Sequence, residues 1–243
     1  MIANFKLHDL IDATHSQWHG IIEEALSAMN PAYLTQLENT VDWLPGKDAL
    51  FSAFSLPLDA TQYVLLGESP YPRAQSANGY AFWDAAVGEI WSPSGLSKEV
   101  NRATSLRNFI KMLLVVKGDL VDDLSQQAIQ KLNKTNYVQT AEEFFSGLIK
   151  KGFLLLNASL VYSDGQVKYH AKEWKPFMTV LFRHLSEIKP SLQFILLGNI
   201  AKQLEETWSF PGLVAEHPYN LSFISNKNVQ NFFKHLDLLS VND

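Results

Sequence analysis

Continuous apolar runs constrain this chain more than any other feature. Tyr63-Val64-Leu65-Leu66 and Phe153-Leu154-Leu155-Leu156 are unbroken rather than alternating, which suits strands buried on both faces of a parallel sheet. A third strand is expected at 193–197 and a fourth at 213–216. Helical patterns lie between them. Trp18, Ile21, Ile22, Ala25, Leu26 and Met29 form a stripe over 16–29, ended by Asn30-Pro31. Ser105 opens a helix that shows Leu106, Phe109, Ile110 and Leu113 on one face. Thr140-Ala141-Glu142-Glu143 is a capping box for a helix through Lys150. A further helix spans 172–187, and Ser225 or Asn226 caps a last one through Leu239. Residues 43–61 read as a loop with a short helical turn, 84–104 as irregular, and 117–139 as a polar excursion with a weak helix. Strands alternating with helices predict a three-layer α/β/α fold around a central, mostly parallel four-stranded sheet.

The 243 residues, 47% apolar and 12% aromatic, suffice for one well-buried domain. The absence of cysteine removes disulfides, thiolate catalysis and cysteine-held zinc or iron-sulfur clusters. His15 and His19 have helical metal-ligand spacing but no acidic partner that would complete a motif, so they read as surface histidines. No metal, cofactor or metal cluster is expected. No run of about 18 apolar residues and no basic, then apolar, leader occurs. The expectation is a soluble, cytoplasmic protein without a membrane partner. A net charge of -5 argues against a generally basic nucleic-acid binder. Its distribution is uneven: 10 Lys+Arg against 17 Asp+Glu in residues 1–149, and 10 against 8 in 150–243. Any polyanion-binding face should use the later half, but charge alone decides nothing, since solvated surfaces on both halves give the same pattern.

The polar residues of interest follow the strands. Gly67 permits a sharp exit into a loop stiffened by Pro70 and Pro72 and closed on Phe82 and Trp83. Glu68, Ser69, Asn157, Gly198 and His217 each stand just past a strand's carboxyl end, where open α/β folds bind ligands. Singly, Asn157 is a turn former, His217 a loop histidine and Phe82 a core residue. Their common placement is what points to a site.

These residues resemble the uracil-DNA glycosylases. Gly67-Glu68-Ser69-Pro70-Tyr71 matches three of five positions of that family's Gly-Gln-Asp-Pro-Tyr. Ser76-Ala77-Asn78-Gly79-Tyr80-Ala81-Phe82 is similar to its Gln-Ala-His/Asn-Gly block, and Leu155-Leu156-Asn157-Ala158 to its Leu-Leu-Asn-Ala. His170 with Trp174 and Phe177 resembles its His...Gly-Trp-Glu-x-Phe segment, and His217-Pro218-Tyr219-Asn220-Leu221-Ser222 its His-Pro-Ser-Pro-Leu-Ser loop. The resemblance covers about 43–239, which leaves 1–42 as a helical extension of a single domain, 1–243.

The resemblance implies a repair enzyme that extrudes uracil, or a related damaged base, from DNA and hydrolyses its N-glycosidic bond. Asn157 would read the base edge, Phe82 would stack on it, and Tyr71 would crowd the C5 position against thymine. His217 would donate to a carbonyl oxygen of the leaving base, and Leu221 would wedge into the gap in the duplex. Ser105, Arg107, Asn199 and Ser222 would hold the DNA backbone. The main departure is Ser69, where the family has the aspartate that orients water and faces the cationic sugar. Glu68 is its neighbour, and Glu68 and His170 are the next candidates for placing water. Other branches with Gly-Glu, a small residue and Pro at this loop remain active. The expectation is thus a monomeric glycosylase working at a reduced rate on uracil-containing DNA. The alternative is a degenerate member that binds DNA or an extruded base without cleavage; a small-molecule nucleotide-binding domain is disfavoured, because no phosphate-cradling glycine motif follows a strand.

Overall fold

A computed structural model of the chain describes residues 5–199 and 212–241; the remaining positions of the expected 1–243 domain lie outside them. Four strands form the central sheet: β1 (Tyr63–Gly67), β4 (Phe153–Asn157), β5 (Gln193–Leu197) and β6 (Gly212–Ala215), in the order β4-β1-β5-β6. β2 (Trp91–Ser92) and β3 (Gly95–Leu96) make a separate antiparallel hairpin. β1 and β4 are parallel, with Tyr63 beside Phe153 and Gly67 beside Asn157. Gly212 lies against Phe194, and Gly198 N–H bonds to Ala215 O. These positions rise together, so β6 runs parallel to β5. All of β4 and the last four residues of β1 and of β5 are buried, as unbroken apolar runs require. The sheet is the predicted one, with helices flanking it.

Among the described residues, 5–84, 151–194 and 212 form one compact unit, and 85–150, 195–199 and 213–241 another. In the first, α1 (His19–Ser27) packs on α7 (Val167–Ile188). Its core joins Trp18 and Phe54 edge to face at 5.2 Å, and Phe177 to Trp174 at 5.1 Å. Asn30 does not only end α1. Its side chain accepts from Ala32 N–H, and Pro31 begins α2 (Pro31–Asn39). Proline there lacks an N–H that the first turn would have left unpaired anyway.

In the second unit, 84–104 is less irregular than expected, since it contains the hairpin and α3 (Lys98–Arg102), capped by Ser97. α4 (Thr104–Lys117) starts one residue before Ser105 and stops at left-handed Gly118. Its Phe109 packs on Phe233, Phe223 and Phe144 with ring centres at 5.1, 6.0 and 6.1 Å. The weak helix of the polar excursion is α5 (Gln126–Gln130). The predicted box at α6 (Ala141–Lys150) is formed: Glu143 N–H donates to Thr140 Oγ1 at 3.1 Å, and Thr140 N–H to the Glu143 carboxylate at 3.3 Å. After β6 come α8 (Ser222–Ser225) and α9 (Lys227–Phe233), the latter capped by Asn226 and ending well before Leu239. Among the described residues no helix is long and apolar enough to cross a membrane, and no group of three or more His, Asp or Glu could hold a metal ion.

Candidate active site

The first unit carries Glu68, Ser69, Tyr71, Phe82 and Asn157. Parallel pairing continues past β1 and β4, since Ala158 N–H donates to Gly67 O at 2.9 Å and Ser159 N–H to Glu68 O at 3.0 Å. Asn157 therefore leaves the sheet on a fixed backbone. A Cβ at Gly67 would fall 2.4 Å from Asn157 Oδ1 and 3.0 Å from Ala81 Cβ, so glycine is needed there to seat the carboxamide. Asn157 is 3% exposed, yet its side chain has no hydrogen-bond partner among the described residues. A carboxamide so placed can both donate to and accept from a ligand.

The loop that follows β1 is pinned at several points. Ala81 N–H donates to Leu155 O at 3.0 Å, and Tyr71 Oη–H to Phe82 O at 3.3 Å. Arg73 and the buried Asp84 form an ion pair at 3.0 Å. Burial, with Asp84 nearby, pushes the Tyr71 hydroxyl up to about 12, so it stays a neutral donor. Gly79 has φ +85, and a Cβ there would lie 2.0 Å from Ala49 O. Phe82 has φ +64, a left-handed backbone unusual for a bulky residue. The Ser69 hydroxyl, half-buried, has no hydrogen-bond partner among the described residues, and the Glu68 side chain is exposed.

His170 occupies a different environment. It is 2% exposed, its Nδ1 lies 2.7 Å from Tyr33 Oη, and Trp174 Nε1–H donates to that same oxygen at 3.0 Å. Burial holds its basicity below the ordinary histidine value. A ring enclosed between Tyr33 and α7 is a core histidine, which withdraws it as a group for placing water.

The second unit carries Ser105, Arg107, Asn199, His217, Leu221 and Ser222. His217 begins a turn in which Asn220 N–H donates to His217 O at 2.9 Å and Tyr219 N–H to His217 Nδ1 at 3.1 Å. Nδ1 is thus an acceptor, which leaves the ring proton of the neutral imidazole on Nε2. Gly198, at φ +75, makes room for this histidine: a Cβ there would be 2.9 Å from His217 Cβ. Leu221 is 71% exposed at the tip. Ser222 begins α8, and Glu216 accepts from Asn226 Nδ2 at 2.7 Å. Burial pushes the Glu216 carboxyl up, but its own amide, Ser222 and Asn226 together hold it below the usual range. Asn199 is exposed. Ser105 lies in the first turn of α4 and is not its cap. Arg107 donates from Nη1 to Asn101 O at 2.9 Å and from Nε to Asn108 Oδ1 at 3.4 Å, which leaves Nη2.

Sequence reasoning missed Asn108. It is fully buried, and its Nδ2 donates to Pro218 O at 2.7 Å and Tyr219 O at 3.4 Å. The available signal was a lone amide set inside the apolar face of α4 between Leu106 and Phe109.

The Uracil DNA glycosylase superfamily matches residues 55–237. The crystal structure of wild-type UNG from Nitratifractor salsuginis is 40% identical and has a TM-score of 0.90, over 96% of this chain and 95% of that one. A uracil-DNA glycosylase of Amoebophilus asiaticus is 30% identical over 199 residues, 77% of this chain and 74% of that protein. One from Streptococcus mutans is 27% identical over 198 residues, 78% and 75% respectively. By the extent of the family match, which takes in both units, the chain belongs to the uracil DNA glycosylase superfamily.

Proposed function

We infer that this chain is a DNA repair enzyme that hydrolyses the N-glycosidic bond of uracil in DNA. The observation that carries the reading is the carboxamide of Asn157, buried at a strand's carboxyl end without a partner and able to donate and accept at once. Membership of the superfamily and the names of the similar proteins support it. In this reading the base leaves the stack, its edge pairs with Asn157, and its face lies on Phe82. Tyr71 crowds the C5 position and so disfavours thymine. As the C1′–N1 bond breaks, its electron pair passes to the base, and Nε2–H of His217 meets the charge that develops on a carbonyl oxygen. Water adds to C1′ and releases a proton. Leu221, exposed at the end of its turn, fills the gap in the duplex. Ser105, Asn199, Ser222 and the Nη2 donors of Arg107 contact the phosphate backbone. The chain works as a single cytoplasmic domain and as a monomer.

Ser69 sets the rate, since a hydroxyl supplies no charge to the cationic sugar; Glu68 is the carboxylate nearest in sequence. That same observation favours a second reading, in which the chain binds an extruded base without cleaving it. Incubation with uracil-containing and matched thymine-containing oligonucleotides, scored for abasic sites, separates the two. Abasic sites only in the uracil strand, lost in Asn157→Ala, are expected. Tight, uracil-dependent binding with no abasic sites would give the second reading the lead.

A further inference from the structure

Asn108 is the one fully buried polar side chain of α4, and both of its hydrogen-bonding atoms are committed within the second unit. The C=O of Pro218 and the N–H of Tyr219 belong to the same peptide plane. On one edge of that plane Asn108 Nδ2 donates to Pro218 O at 2.7 Å; on the other, Tyr219 N–H donates to His217 Nδ1 at 3.1 Å. Upstream, Arg107 Nε donates to Asn108 Oδ1 at 3.4 Å while its Nη1 is held by Asn101 O at 2.9 Å. The amide can take this orientation alone, because a flipped Asn108 would set Oδ1 against the Pro218 carbonyl and Nδ2 against a cation. The result is a continuous chain of donors and acceptors: Arg107, Asn108, the 218–219 peptide and His217. Each bond in such a chain polarises the next.

We propose that Asn108 is a positioning residue that, with Arg107 behind it, fixes the 218–219 peptide and thereby the Nδ1-acceptor, Nε2–H state of His217. The proposal rests on the reading of His217 as the group that meets charge on the leaving base. The relay itself can be tested without that reading. The bonds within His217-Pro218-Tyr219-Asn220 tie the turn only to itself, and the 218–219 plane needs an anchor from outside it. A buried amide on a fourteen-residue helix supplies one.

The experiment uses the full-length protein in the parent, Asn108→Ala and Asn108→Asp forms. Nitrogen chemical shifts of the His217 ring give its tautomer, single-turnover excision on a uracil oligonucleotide gives the rate, and thermal unfolding gives the fold. The parent ring is expected to carry its proton on Nε2. Asn108→Ala should mix the tautomers and slow single-turnover excision about 10- to 100-fold, the range seen when the partners that orient metal-ligating histidines are removed. Affinity for an abasic-site duplex should change little. Asn108→Asp preserves volume but cannot donate to Pro218 O, so it should reproduce the effect, and it takes the place of the alanine form if that does not fold. A parent protein with the proton on Nδ1 overturns the proposal whatever the variants do. So does a folded variant with the parent's tautomer and rate, since a merely structural asparagine would change only the melting temperature. An inactive parent with the Nε2 proton, whose tautomer shifts in the variants, leaves the relay standing and sinks the glycosylase reading.

Discussion

Gly67 ends β1 and Gly198 follows β5, and both are glycine because a side chain of interest stands where a Cβ would be. They differ in why the space is needed. Gly67 has ordinary strand backbone, and its constraint is the Asn157 carboxamide at 2.4 Å. Gly198 is left-handed at φ +75, and its constraint is the backbone as well as His217 Cβ at 2.9 Å. The amide is delivered by a ladder that continues past both strands; the imidazole is delivered by a turn that one buried amide holds in place. A base-reading group thus inherits the rigidity of the sheet, whereas the group that meets developing charge depends on a few hydrogen bonds.

The largest expected effect breaks the comparison at the reading group. Asn157→Ala should lower single-turnover uracil excision about 100- to 1000-fold, the scale of two lost hydrogen bonds to the base edge, with little fall in melting temperature, because no hydrogen bond to the described residues is removed. A fall of several degrees would mean that Asn157 has a structural partner after all. Next, Ser69→Asp should raise excision roughly 10- to 1000-fold by restoring a carboxylate near the sugar. An unchanged rate, with Asn157→Ala still inactive in both backgrounds, would point to Glu68 as the group that places water.

The two glycines separate in double-mutant cycles. Gly67→Ala should cost about 1–3 kcal/mol by overpacking, with at least half of it recovered in an Asn157→Ala background, where the clashing oxygen is gone. Gly198→Ala should cost about 1–2 kcal/mol through its left-handed backbone, and His217→Ala should recover little. Equal recovery at both sites in denaturant unfolding would erase the distinction drawn here.

The smallest effect concerns a buried histidine. His170 is buried with its folded basicity lowered, so below the ordinary pKa of about 6.5 the unfolded chain takes up a proton that the native chain refuses. Its contribution is complete above that pH and is lost as the pH falls. The decrease in melting temperature between pH 7 and 5 should therefore shrink in His170→Gln.

How much of this was legible in the sequence depended on how local each signal was. Unbroken apolar runs exposed β1 and β4, and the Thr140 to Glu143 spacing exposed the start of α6, since each is written in neighbouring residues. α2 was missed because Asn30-Pro31 ends one helix and begins another with the same two residues. The hairpin at 91–96 has two-residue strands, too short for any periodicity. Asn157 and His217 could be singled out by their place after strands. What Asn108 holds, and that His170 is enclosed by Tyr33, follow from contacts across more than a hundred residues, 110 and 137 positions apart.

Phe82 sits at φ +64, between an amide pinned to β4 at Ala81 and the buried ion pair of Asp84. An L-residue held left-handed stores about 1–2 kcal/mol, and here that energy is present before any base arrives and is still present afterwards. It cancels from the thermodynamics of binding. What it leaves behind is kinetic and entropic: the ring has no backbone freedom to surrender on contact, so each extruded base meets a face already set by folding.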